Sequence, residues 1–220
     1  MLYQKFVSIG IELIYTIVIT LFCLLIYLRT HEVYNLTKYR GIMYFRNAFL
    51  FFGLAYLTRF ILYLQFMSIF SLGGRGIARA WHPALLAIIG YFSTMAIFYL
   101  VYSTIWKKID KGHFEMAANI LAVVISIFAI LSRSHSILVV LQFALLVFVL
   151  VYSFFKKTEK KHLSLWIMYV LVFVFWLLNL FLVQPGGFKH IRTPGAQIIS
   201  HIISAIVFAL IFYKVQKWTR

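Results

Sequence analysis

Three ionizable side chains, Glu12, Arg59 and His201, lie inside long apolar runs of this 220-residue chain. At membrane depth an isolated charge is costly, so each of them needs a counter-charge, a hydrogen-bond partner or a ligand. At ~1.5 Å of rise per helical residue, Glu12 falls ~6 Å and Arg59 ~10 Å below the same end of two consecutive antiparallel helices. A guanidinium arm spans that difference, which makes the two an expected intramembrane ion pair. Such a pair either locks two helices together or presents charge to a ligand or a proton.

The same count places Gln142, Asn179 and His201 ~6 to 9 Å below that level. Two readings of this concentration stay open. Polar side chains hydrogen-bond across helices as structural glue, or they line a pocket open to the outside, built from Glu12, Arg59, Gln142, Asn179, His201 and Trp176 with further aromatic walls such as Tyr56 and Phe175. Above them, the runs from Gly73 to His82 and from Pro185 to Arg192 are Gly-rich and basic. Free backbone amides beside Arg75, Arg79, His82, Lys189 and Arg192 favour anions. The anion is the carboxylate or phosphate of a ligand, or the headgroup of a membrane lipid.

Catalytic chemistry is not composed here. The chain contains neither H-E-x-x-H nor G-x-S-x-G, and it has one carboxylate at membrane depth, so an enzyme is not expected. A single cysteine, Cys23, allows no intrachain disulfide and no thiolate cluster, and neither a metal site nor a cofactor is expected. A retinal Schiff base of the microbial-rhodopsin kind needs a lysine midway along the last helix, where this chain has His201, its last-helix Lys214 lying only at the inner end.

The elements that must carry these residues follow from composition. With 64% hydrophobic and 12% charged residues and a mean hydropathy of +0.95, a chain this short cannot bury its apolar surface in water, so the bilayer must solvate it. The net charge of +16 then marks the flanks of membrane spans and contacts with anionic headgroups, rather than nucleic acid. A span takes ~20 apolar residues. Seven stretches qualify or come close: Ser8 to Leu28, Asn47 to Phe66, Ala84 to Thr104, Met116 to Ser132, Ser136 to Phe155, Leu163 to Val183 and Ala196 to Tyr213. The expected fold is therefore all-α, a single seven-helix transmembrane domain over 1–220. The first span is too long and too weakly basic at its start for a cleaved signal.

Lys and Arg fix the orientation. Fourteen lie on one set of loops, around Arg29 to Arg46, Lys107 to Lys111, Lys156 to Lys161 and after Lys214, against six on the other. Translocated positive charge is disfavoured, so the N-terminus is expected outside and the C-terminus in the cytoplasm of a multi-pass cell-membrane protein. Pro83 and Pro194 are expected to open the third and seventh spans. The sequon at Asn35 then lies inside and is read as chance.

Residues Arg29-Thr30-His31-Glu32, Lys38-Tyr39-Arg40-Gly41, Phe45-Arg46-Asn47 and Thr58-Arg59-Phe60 resemble the first third of stand-alone, archaeal-type seven-helix proteins. They are also similar to the seven-helix sensor region that precedes some histidine kinases. That resemblance implies sensing of external or membrane-borne signals and, with no output domain after Arg220, a separate signalling partner. A second comparison is with transporters of three helices, a linker and three more, such as the PQ-loop and SWEET class. The short fourth span fits the linker, and Ile42-Met43-Tyr44 is echoed by Ile167-Met168-Tyr169, although the Pro-Gln signature is absent. The leading expectation is a sensor-like or receptor-like protein that binds a small or lipidic ligand from outside. The alternatives are a small-solute transporter, or a structural membrane protein acting through a partner or a second copy of itself.

Overall fold

The computed structural model describes residues 2–72, 75–107, 110–131, 135–155, 160–183 and 194–218, and all of its regular structure is helical. The helices are α1 (Leu2–Thr37), α2 (Arg40–Leu72), α3 (Arg75–Ile105), α4 (Lys111–Leu131), α5 (His135–Phe155), α6 (Lys160–Val183) and α7 (Pro194–Trp218). Each of the seven expected apolar stretches lies on one of them, with Ser132 falling outside the described residues. Five helices are long and apolar enough to cross a bilayer, over Ile9–Thr37, Arg40–Gln65, Trp81–Ile105, Lys111–Phe128 and Ile198–Lys217. Shorter apolar stretches, Gln142–Phe155 and Trp166–Leu178, lie on α5 and α6. Large apolar side chains such as Ile14, Leu36, Leu131 and Phe155 face outward along the bundle. That surface suits lipid and marks a membrane protein.

Two helix boundaries differ from expectation. The expected loop between Leu28 and Asn47 is helical except for Lys38 and Tyr39. Hydropathy marks where a chain leaves apolar surroundings, whereas a helix ends only where the backbone stops it. Here Lys38 takes φ 51°, the left-handed conformation that terminates a helix, while its N–H still bonds the Tyr34 carbonyl. At 36 residues, α1 is therefore far longer than a bilayer core requires. Pro83 does not open its helix either. α3 begins at Arg75, so Pro83 lies inside it, and Arg75, Arg79 and His82 belong to a helix rather than to a loop. The proline removes one donor from the ladder there. Pro194 does open α7, as expected.

Six helices close a ring in the order α1, α2, α3, α5, α6, α7, with α7 returning to α1. Aromatic rings fill the interior: Phe208 of α7 meets Phe175 of α6 at 4.3 Å and Phe49 of α2 at 6.1 Å between centroids. Ser103 of α3 and Tyr169 of α6 hydrogen-bond at 2.8 Å. α4 stands outside the ring and packs on α3 and α5. Its buried stripe is Ala118, Ala122 and Ser126, small residues one turn apart that permit close approach, while Met116, Ile120, Val124 and Ile127 face outward. Asp110 caps its start by accepting from the Gly112 N–H.

Close approach also decides the α1–α2 seam. A Cβ at Gly53 would sit 3.3 Å from Cβ of Cys23, itself 1% exposed, whereas at Gly10 of α1 nothing lies within 4 Å. Gly53→Leu is therefore expected to destabilise the bundle by about 1–3 kcal/mol through overpacking, and Gly10→Ala to be neutral or stabilising. Maleimide labelling of the chain's single cysteine reads the outcome. Cys23 is to be protected in wild type and in Gly10→Ala, and labelled faster and at lower temperature in Gly53→Leu.

Candidate functional site

Glu12 points inward from α1, one turn above Thr16, on a helix whose interior stripe continues through Tyr15, Ile19, Cys23 and Ile26. Its Oε2 accepts from Arg59 Nη2 of α2 at 3.1 Å, and its Oε1 lies 3.1 Å from His201 Nε2 of α7. The same guanidinium nitrogen donates to the Tyr63 hydroxyl at 3.2 Å. The carboxylate, the guanidinium and the imidazole side chains are 8%, 14% and 6% exposed. A carboxylate in so dry a place needs hydrogen bonds on both oxygens, and the two neighbouring helices supply them. Aromatic faces complete the enclosure. The His201 ring stacks on Tyr15 at 4.0 Å and 18°, and the Arg59 guanidinium lies 5.8 Å from the Tyr56 ring and 5.6 Å from that of Tyr63.

The expected pairing of Glu12 with Arg59 is thus a direct contact, and His201 joins it. One further feature lies on α7. With Nε2 engaged by Glu12, His201 Nδ1 is buried and has no hydrogen-bond partner among the described residues, and the same holds for the Ser204 hydroxyl one turn along the same face. Buried donors and acceptors are nearly always satisfied, so a pair of orphans beside an ion cluster is uncommon.

The other expected pocket residues do not all gather here. Gln142 is buried on α5 and donates to Ser93 Oγ at 2.8 Å and Thr94 Oγ1 at 3.1 Å, a clamp between α5 and α3 across the bundle from Glu12. Trp176 is buried in the aromatic core of α6. His82 is partly buried within α3. The side chains of Asn179, Arg75 and Arg79, and residues Lys189 and Arg192 altogether, lie outside the described residues. Among the described residues no group of three His, Cys, Asp or Glu is placed to hold a metal. Tyr15, Tyr63 and Ser204 are the members the sequence reading passed over. Each stands three or four residues from Glu12, Arg59 or His201, and that helical spacing was the available signal.

The triad sets up a mutational cycle. Glu12→Gln or Arg59→Leu alone leaves a buried charge without its counterpart and is expected to cost about 3–5 kcal/mol, while the double change, which removes both, is expected to cost less than the sum. Thermal denaturation in detergent measures all three variants. Strictly additive losses would show that the 3.1 Å contact contributes no coupling.

Neither a family model nor a solved structure matches the chain. The comparisons therefore lend no support to the similarity with histidine-kinase sensor regions. An uncharacterized protein of the archaeon Archaeoglobus fulgidus is 40% identical over 220 residues, which takes in 95% of this chain and 92% of the relative. An identity of that level along nearly the whole of both sequences means that the chain belongs to the same family as this archaeal protein.

Proposed function

We propose that the chain is a receptor-like, seven-span protein of the cell membrane, N-terminus outside and C-terminus in the cytoplasm. It takes a small or lipidic ligand with a polar head from the outer side, against the Glu12–Arg59–His201 cluster. The observation that carries this reading is a pair of polar atoms without partners among the described residues, His201 Nδ1 and Ser204 Oγ, beside a carboxylate whose two oxygens are already engaged. Each such atom costs about 1–3 kcal/mol when left unpaired, a penalty that a ligand hydroxyl, amide or carboxyl removes on binding. Three helices meet at the cluster, so occupancy there bears on how α1, α2 and α7 sit together. That is what a sensor needs from its binding site. The excess of Lys and Arg at the opposite end of the bundle supports the orientation.

A second reading, a small-solute transporter, is favoured by the position of α4. With that helix outside the ring, α1 to α3 and α5 to α7 form two three-helix units joined by a linker, an arrangement that transporters built from parallel repeats also use. Transport requires a polar path to both faces, so substrate-dependent uptake into liposomes would select this reading over the first.

The test of the receptor reading is thermal-shift screening of purified wild type and of Ser204→Ala against metabolite anions, polar metabolites and lipids. At least one class is expected to raise the melting temperature of wild type by roughly 5 °C at saturation, with a smaller rise in Ser204→Ala. No rise with any class would overturn the reading. A fluorescent protein fused after Arg220 is expected to be protected from protease in intact cells, and cleavage there would reverse the orientation.

A further inference from the structure

At the end of the bundle away from Glu12, the start of α2, the last turn of α3 with the turn after it, and the start of α4 converge on a cleft of about 250 Å³. Three cations line it, one from each segment: Arg40, Lys107 and Lys111. One carboxylate, Asp110, also faces it. That carboxylate is already engaged. His113 Nδ1 lies 3.3 Å away and the Gly112 N–H donates at 3.0 Å, and together they hold Asp110 ionised below the usual carboxylate range. Lys111, its side chain 57% exposed, has a further, looser neighbour in Glu115 at 3.7 Å. The lining therefore keeps an excess of positive charge after its internal contacts are counted.

The back of the cleft is rigid and aromatic. Tyr44 and Tyr102 are 2% and 1% exposed, their rings 4.3 Å apart, and Phe114 of α4 stacks flat on Tyr102 at 4.1 Å. Trp106 forms the side wall, held edge-on by Tyr39 at 5.6 Å. Gly41 lets α2 approach that wall, since a Cβ there would meet the Ser103 carbonyl and Trp106 Nε1 at 3.2 Å. A loose basic rim has no such backing. Cations that only bracket a span point into open solvent, whereas these three border a preformed concavity with tyrosines at its base.

We propose that this cleft is a binding site for a phosphate group, engaged by Arg40, Lys107 and Lys111. A phosphate suits it in charge and in size: the cleft holds one tetrahedral anion and the start of its substituent, and it is smaller than the ~300–1,000 Å³ of sites that enclose drug-sized ligands. Free phosphate esters and the headgroups of anionic lipids share this chemistry, and the position at a helix-bundle end, level with the membrane surface, gives access to both. The site is independent of the Glu12 cluster.

The experiment measures melting temperature in two arms, inorganic phosphate titrated at constant ionic strength in detergent, and nanodiscs of phosphatidylcholine with or without added phosphatidic acid. A saturable rise of roughly 5 °C is expected in at least one arm, and which arm responds tells the free from the lipid-borne phosphate. The rise is expected to vanish in Arg40→Gln/Lys107→Gln/Lys111→Gln and to persist in Lys214→Gln/Lys217→Gln, which removes the same kind of charge from α7. No rise in either arm, or an equal response in both variants, overturns the proposal. Where the triple variant fails to fold, wild type is cross-linked with a photoactivatable phosphatidic acid and with a photoactivatable phosphate monoester. Labelling within 40–44 or 106–111 sustains the site, and labelling confined elsewhere removes it.

Discussion

One buried carboxylate organises one end of this bundle. In a medium with no water to solvate it, an ionised Glu12 is tolerable only where cationic or hydrogen-bonding groups reach both of its oxygens, and those groups come from the helix that follows it and from the last helix of the chain. The requirement is geometric as well as energetic. For His201 and Arg59 to meet the same carboxylate, α7 must return to α1, and the ring of six helices closes at that seam. The apolar contacts around it are less particular. Phe49, Phe175 and Phe208 fill the centre by area and shape, and lipid offers nearly as good an environment to such rings, so they stabilise the closed bundle without choosing which helices are neighbours.

The two ends of the bundle solve the problem of charge in opposite ways. At one end, charge is enclosed: Glu12, Arg59, His201 and Tyr63 contact one another under aromatic cover, and His201 Nδ1 is left without a partner among the described residues. At the other, charge is left accessible, and Arg40, Lys107 and Lys111 stand over a tyrosine floor with one committed carboxylate among them. Between the ends lies a dense aromatic plug. The same helix, α2, opens with Arg40 and carries Arg59 beyond its midpoint, and its contact with α1 is tight enough that a Cβ at Gly53 would meet Cys23.

Charge at membrane depth was legible in the residues alone. Glu12 and Arg59 stand out because apolar runs contain so few ionizable groups, and counting rise along a helix is enough to pair them. The same count failed for Gln142. Rise gives height within the membrane and says nothing of direction around the bundle, and at a similar height Gln142 faces Ser93 and Thr94 on α3 instead of the Glu12 cluster. The cleft at the far end was hidden for a related reason. Arg40, Lys107 and Lys111 are distant in sequence and read as ordinary flanking cations, and only the convergence of three helix ends turns them into one site.

Sequence by itself determined the all-α class, the seven apolar stretches that lie on helices and the first ion pair, because these depend on composition and on periodicity along one helix. Tertiary structure decided the rest. It placed α4 outside the ring, brought His201 to Glu12, continued α1 through Arg29 to Thr37 until the left-handed Lys38 stopped it, and kept Pro83 inside α3. Each of these turns on which helix faces which, or on a single backbone conformation, and hydropathy averaged along the chain contains neither.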